Sequence, residues 1–196
     1  IARYLNFCGY HSEVNMLDEL ITTRVTSHIA LRNVAKSIDV DGIINAIKLA
    51  NDTLISAGKT RPRIGVAALN PHAGDNGNFG TEEIDILAPA IEMARGLQID
   101  VDGPWPSDTV FLRGRDGKLD AVVTMYHDQG QIAMKMMGFD RGVTIAAGLP
   151  VPIATPAHGT AFDIAGKGVA NLNATREAFD ILCRMGANFR RNRLAA

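Results

Sequence analysis

The sequence predicts an α/β protein organised on a mostly parallel sheet, and three observations carry that expectation. Strand and helix signals alternate along the chain, as in successive βαβ units. Segments 64–69 and 120–126 are short, largely apolar runs, as strands covered on both faces require. Each of those runs gives way to a polar loop that begins with or contains a histidine.

The elements follow in order. Residues 41–57 place Ile43, Ile44, Ile47, Ala50 and Leu54 on one helical face, and Gly58 ends that helix. The run 64–69 is the first clear strand. After a loop through Gly80, Thr81 can cap a helix whose first turn holds Glu82 and Glu83, both favourable near the positive end of the helix dipole. Its inward stripe is Ile84, Leu87, Ile91 and Ala94; Pro89 should bend it and Gly96 stops it. The run 120–126 is a second buried strand, 131–137 a short helix and 143–147 a further strand. Asn173 opens a last helix running to about Met185, with Ala178, Ile181, Leu182 and Met185 facing inward.

Bulk properties narrow the classes. A chain of 196 residues can bury one substantial core. A formal net charge of −1 gives no electrostatic footprint for nucleic acid or a membrane surface. Only Cys8 and Cys183 are present, without CxxC spacing, so a disulfide framework is not expected. No apolar run approaches the roughly 20 residues that cross a bilayer, and no signal-peptide pattern is visible, which makes a cytoplasmic location the default. The first residue is Ile1, as a processed chain or one portion of a longer chain would have.

The residues able to carry chemistry cluster at apolar-to-polar transitions. His28 (Thr-Ser-His-Ile), His72 (Asn-Pro-His-Ala-Gly-Asp) and His127 (Tyr-His-Asp-Gln-Gly) each sit at one. Carboxyl ends of parallel strands face a shared crevice, so three imidazoles delivered there would make an open site for a divalent ion such as zinc. Each has a bland alternative: a satisfied structural histidine at 28, a mobile turn at 72, an ordinary polar loop at 127. Asp128 either fixes the imidazole tautomer, touches the metal, or bonds its own backbone. Lys135 lies between Met134 and Met136, either as a proton donor or acceptor or as a lysine reaching to water. Asp108 is a candidate second carboxylate or a helix cap. The segment from Thr155 to Gly168, with His158, Gly159, Thr160 and Asp163, is dense in small residues and suits a backbone loop around a flat or phosphorylated ligand. It is not a GxGxxG fingerprint, and no GxxxxGK[ST] occurs.

In combination, NPHAGDNGNFGTEEID from Asn70, WPSDTVF from Trp105, MYHDQGQIAMK from Met125 and GFDRGV from Gly138 resemble the 4-hydroxythreonine-4-phosphate dehydrogenase family of vitamin B6 synthesis and its catabolic relatives. The resemblance runs from about Arg24 through the final helix. It implies the α/β/α layers of the isocitrate and isopropylmalate dehydrogenases, and a homodimer whose active site is shared, with His127 able to come from the neighbouring subunit. It implies residues 1–160 as the metal, substrate and dimerisation domain, and 161–196 as a segment returning to a first domain whose N-terminal part is missing. It implies His28, His72 and His127 as metal ligands, Lys135 as a substrate contact, and Asp108 and Asp128 in or near the site. The His158–Gly159–Thr160 loop with Asp163 resembles the NAD-binding loop of those dehydrogenases. Members of the vitamin branch commonly carry Asn and Arg as substrate ligands where this sequence has Thr144 and Ile153, and Asp where it has Ala157. Losing an arginine removes a bidentate phosphate or carboxylate partner. The pattern is thus closer to relatives acting on 4-phospho-threonate or 4-phospho-erythronate, or on aromatic cis-dihydrodiol acids of the terephthalate type.

The activity these features imply is oxidation of a secondary alcohol by NAD⁺ with a divalent metal as Lewis acid (zinc first, magnesium, cobalt or manganese as alternatives), followed by decarboxylation where a β-keto acid forms. The rival class is a metal-dependent hydrolase using the same histidines to activate water. A third reading is a non-catalytic binding domain.

Overall fold

Strands β1 (Ser12–Leu17), β2 (Leu20–Arg24), β3 (Ile64–Ala67), β4 (Val101–Trp105), β5 (Ala121–Thr124), β6 (Val143–Ala147) and β7 (Ala154–Pro156) form one sheet in the order β4-β3-β5-β2-β1-β6-β7. The computed structural model describes residues 1–18, 20–138 and 140–195, with side chains to 191, so Phe139 of the GFDRGV segment lies outside the described residues. Strands β4, β3, β5 and β2 run parallel, whereas β1, β6 and β7 add on in antiparallel fashion. The expected strands at 64–69, 120–126 and 143–147 are β3, β5 and β6, slightly trimmed in the first two cases.

The helices divide between the two faces as the handedness of parallel crossovers demands. From β2 the chain passes through α1 (Val40–Ser56) to β3, then through α2 (Ala88–Gly96) to β4, stepping toward one sheet edge. It then steps back through α3 (Val110–Arg115) to β5, which places α3 on the opposite face. Helix α4 (His127–Gly138) follows β5, and α5 (Asn173–Ala195) closes the described chain. One core accordingly joins Ile43, Ile47 and Leu54 of α1, Ile91 of α2 and Ile181 of α5 to Ile21, Ile64, Val66 and Val123 of the strands. The other joins Val110 and Phe111 of α3 and Met134 of α4 to Leu20, Ala67 and Val122. Successive strand residues alternate between these cores, as the pleat requires.

Helix α1 begins one residue earlier than its apolar period suggests, because Asp39 caps it by accepting from the Gly42 amide at 2.7 Å. Helix α4 begins at His127, four residues before the expected start, and α5 runs past Met185. The largest correction lies before α2. Ile84 is 54% exposed and Glu83 is buried, although the apolar pattern put Ile84 inward. Residues 83–87 form a π turn, whose i→i+5 ladder widens the spiral. The residue four before Leu87, Glu83, therefore keeps its face, and the residue three before, Ile84, swings outward. Thr81 contributes its carbonyl to the Ile84 and Asp85 amides, and no side-chain cap forms there.

At the amino edge of the parallel strands, Asp120 is buried and accepts from the Arg63 amide and guanidinium, with Lys59 Nζ 2.9 Å away. Burial pushes this carboxyl up, but the Arg63 and Lys59 hydrogen bonds outweigh it and hold its pKa down to about 2 against an ordinary 3.8. A depressed carboxyl pKa stabilises the fold above its unfolded value, and that contribution disappears as pH falls from about 4 to about 2. Because Arg63 and Lys59 are 45% and 35% exposed, water screens the pair, and Asp120→Asn is expected to cost about 1–2 kcal/mol at neutral pH. Urea unfolding should show the variant and native protein converging in strong acid; a gap that persists there would contradict this account. Among the described residues no helix is long and apolar enough to cross a membrane.

Candidate active site

Four of the sequence-selected residues leave the sheet at the same edge. Strands β2, β3, β4 and β5 are parallel, so the loops carrying His28, His72, Asp108 and the start of α4 with His127 all emerge at their carboxyl ends. The β2–β5 ladder continues beyond the strands proper: Val25 N donates to Thr124 O at 2.9 Å, and Thr26 Oγ1 to Met125 O at 2.7 Å. That extension delivers His28 beside His127. Their ring centroids are 5.7 Å apart, tilted by 42°, and they share a cavity of about 330 Å³ with Thr26, Tyr126 and Asp128.

Both rings keep one nitrogen near an oxygen of their own chain. His127 Nδ1 lies 2.6 Å from Asp128 Oδ1, and His28 Nδ1 lies 3.4 Å from Ser27 Oγ. The carboxylate is thus placed to hold the Nδ1 proton and free Nε2 as a ligand. With zinc–nitrogen bonds of about 2.0–2.1 Å, two imidazoles on one ion have ring centres roughly 5 Å apart. The observed 5.7 Å is slightly longer than that. His72 occupies the adjoining loop and faces Phe79 at a centroid distance of 6.1 Å. Two of the three histidines are therefore brought together, and no cluster of three or more His, Cys, Asp or Glu side chains able to hold a metal ion occurs among the described residues.

The polar triplet after β5 divides its roles. Gln129 is not directed at the crevice: its Nε2 donates to Ala68 O at 2.9 Å and its Oε1 accepts from Met125 N at 2.8 Å. It ties the start of α4 to the end of β3 and so fixes where His127 stands. Asp108 is exposed in the turn before α3. Lys135 is exposed two turns along α4 and borders a small depression with Asn15, Gln131 and Ala157. Thr144 lies in mid-β6, its hydroxyl accepting from Asn15 Nδ2 at 3.0 Å, and Ile153 leads into β7, its carbonyl accepting from Ala146 N at 2.9 Å. The loop with His158, Gly159, Thr160 and Asp163 is exposed and leaves β7 beside Val143. Within one chain this is the edge opposite the histidines, since Val143 pairs with Met16 and Ala147 with Ser12.

Sequence reasoning missed a buried polar network behind His28. Arg24, 3% exposed at the end of β2, donates Nε to Ser27 Oγ at 3.0 Å and Nη1 to Asn15 Oδ1 at 2.9 Å, and pairs with Glu13. Asn15 Oδ1 also accepts from Gln131 Nε2. A chain of hydrogen bonds thus links Ser27, next to His28, to Thr144. The only signal in the sequence was an arginine inside an otherwise strand-like LITTR stretch.

A family model described as "Pyridoxal phosphate biosynthetic protein PdxA" matches residues 4–182. A Pseudomonas aeruginosa protein provisionally named 4-hydroxythreonine-4-phosphate dehydrogenase 2 is 59% identical over 187 residues, 94% of this chain and 56% of its own length. The D-threonate 4-phosphate dehydrogenase of Pectobacterium atrosepticum is 49% identical over 170 residues, 87% of this chain and 52% of its own. Among solved structures, a Klebsiella pneumoniae 4-hydroxythreonine-4-phosphate dehydrogenase superposes with a TM-score of 0.80 at 41% identity, covering 89% of this chain and 53% of that one. A Thermococcus kodakarensis β-decarboxylating dehydrogenase, at 18% identity and a TM-score of 0.55 over 76% of this chain and 44% of its own, shares the fold alone. The chain spans about half the length of the curated relatives it matches.

Proposed function

The chain belongs to the PdxA family of pyridoxal phosphate biosynthetic proteins, and from that premise we propose that it acts in an NAD⁺-dependent, divalent-metal-dependent dehydrogenase of a phosphorylated C4 hydroxy acid. The observation that carries the reading is the His28–His127 pair at the carboxyl edge, with Asp128 Oδ1 2.6 Å from His127 Nδ1. His28, His127 and His72 would hold the ion, zinc being the first choice for an imidazole set. When bound, that ion supplies a Lewis acid that acidifies the substrate hydroxyl, and NAD⁺ accepts the hydride.

The chain's own residues do the rest. Asp128 keeps the His127 ring in one tautomer and orientation. Lys135 or Asp108 takes or relays the hydroxyl proton. Thr144 and Ile153 border the substrate, and the loss of CO₂ follows where the product is a β-keto acid. His158, Gly159, Thr160 and Asp163 seat the dinucleotide. A homodimer with a shared site is part of this reading, and Ile29, Leu31, Ile132 and Met136, all exposed beside or one helical turn from the histidine cavity, support a contact surface there. In this reading residues 1–160 carry the metal, substrate and dimer contacts, and α5 of the 161–196 segment packs on the same core through Ile181. The two exposed free cysteines suit a reducing cytoplasm.

Within the family, Thr144 and Ile153 in place of Asn and Arg favour 4-phospho-threonate or 4-phospho-erythronate over 4-hydroxythreonine 4-phosphate. The deciding experiment presents these three compounds and an aromatic cis-dihydrodiol acid to the full-length protein with NAD⁺ and zinc, and follows NADH absorbance. Expected is NADH formation with a phosphorylated C4 acid that vanishes on chelation. Substrate loss without NADH would indicate the metal-dependent hydrolase instead.

A further inference from the structure

The turn that presents His72 is built almost wholly in the left-handed region. His72, Ala73, Gly74, Asp75 and Asn76 have φ of 53, 54, 77, 43 and 54°, and only one of the five is glycine. L-residues hold such a conformation only where the surroundings enforce it. Bonds within the loop, such as Phe79 N to Gly74 O at 3.1 Å and Asn78 Nδ2 to Asp75 Oδ2 at 3.1 Å, hold its exit. Its entry is held from outside.

That outside group is Glu83, 3% exposed on the π turn before α2. Its Oε1 accepts from the Leu69 and Asn70 amides at 2.8 and 2.7 Å, and its Oε2 accepts from Asn70 Nδ2 at 2.9 Å. Asn70 Nδ2 also reaches Glu82 Oε2 at 2.7 Å. A Cβ on Gly74 would meet Glu83 Oε2 at 2.8 Å, so the middle of the turn packs against the same carboxylate that anchors its start. The π turn serves this directly, since it puts Glu83 where the apolar period placed Ile84.

We infer that Glu83 is the positioning residue for His72, a buried carboxylate that clamps the end of β3 and locks the left-handed turn that carries the imidazole. The inference deepens the proposed function and rests on His72 belonging to the metal site. The test uses the full chain with Glu83→Ala and Glu83→Gln, read by amide hydrogen exchange and zinc titration. In Glu83→Ala, exchange at Leu69, Asn70 and residues 72–79 should rise more than about 10-fold while Val122 and Val123 in β5 stay protected, because hydrogen bonds to a charged group are lost locally. Zinc affinity should fall by a similar factor. Glu83→Gln keeps one oxygen able to accept from both amides, so it should return both readouts to within about 3-fold of native.

Native exchange at those amides in Glu83→Ala would overturn the inference. So would raised loop exchange with unchanged zinc affinity, or a loss of protection that extends to β5 and is not rescued by glutamine, which marks a fold-supporting residue only. Native protein that binds no zinc would instead refute the metal reading, and Glu83 would then stand or fall on the exchange result alone.

Discussion

His127→Ala is expected to lower zinc affinity at least about 100-fold and to remove NADH formation with it, since deleting a ligand exceeds the 10–100-fold typical of its hydrogen-bonded partner. The partner provides the internal scale. Asp128→Asn leaves the imidazole in place but takes away the negative charge 2.6 Å from its Nδ1, so a loss of roughly 10-fold in zinc affinity is expected. The order His127→Ala worse than Asp128→Asn is what the proposed site requires, in which the imidazole would touch the ion and the carboxylate would touch only the imidazole. His28→Ala should behave like His127→Ala, because the two rings stand 5.7 Å apart across one cavity. Competition titration with a chromophoric chelator reads all three. Unchanged zinc affinity in His127→Ala would dissolve the site.

Glu13→Ala should destabilise the protein more than Arg24→Met, although Glu13 is half-exposed and Arg24 is buried. Among the described residues the glutamate is the sole carboxylate paired with this guanidinium, which is 3% exposed. Deleting it leaves a buried cation without a counter-charge, for which about 3 kcal/mol is expected, or roughly 6–12 °C in Tm for a chain of this size. Arg24→Met removes the charge together with its solvation penalty and fills similar space, so a cost below about 1.5 kcal/mol is expected. In that variant Glu13 returns to water and Asn15 Oδ1 still accepts from Gln131. Thermal and urea unfolding of the two variants decide it. Arg24→Met being the more damaged would mean that the guanidinium's bonds to Ser27 and Asn15, not the charge balance, hold this corner.

Legibility in the sequence followed the kind of force at work. The helix faces through Ile43, Ile47 and Leu54 and through Ala178, Ile181 and Met185 were readable because apolar burial is periodic and local in sequence. Strands β3, β5 and β6 were readable for the same reason. The hairpin of β1 and β2 was not: its SEVNML and LITTR segments bury Asn15, Thr22, Thr23 and Arg24. LITTR is strand-like apart from its arginine, but nothing local says that these polar side chains are buried; their partners on β6, β5 and α4 do. By sequence Glu83 is a first-turn acid near a helix dipole; the π turn shifts the helical phase and buries it against the end of β3.

The α/β alternation, the main core faces and the three histidines are all legible locally, each marked by its own neighbours along the chain. That His28 and His127 meet, that His72 stands apart against Phe79, and that Gln129, Glu83 and Arg24 hold the loops between them emerges only in the folded chain. The reason is one of range. Hydrophobic patterning is written within a few residues of sequence, whereas a hydrogen-bonded polar cluster is specified by strands that become neighbours only when the sheet closes up.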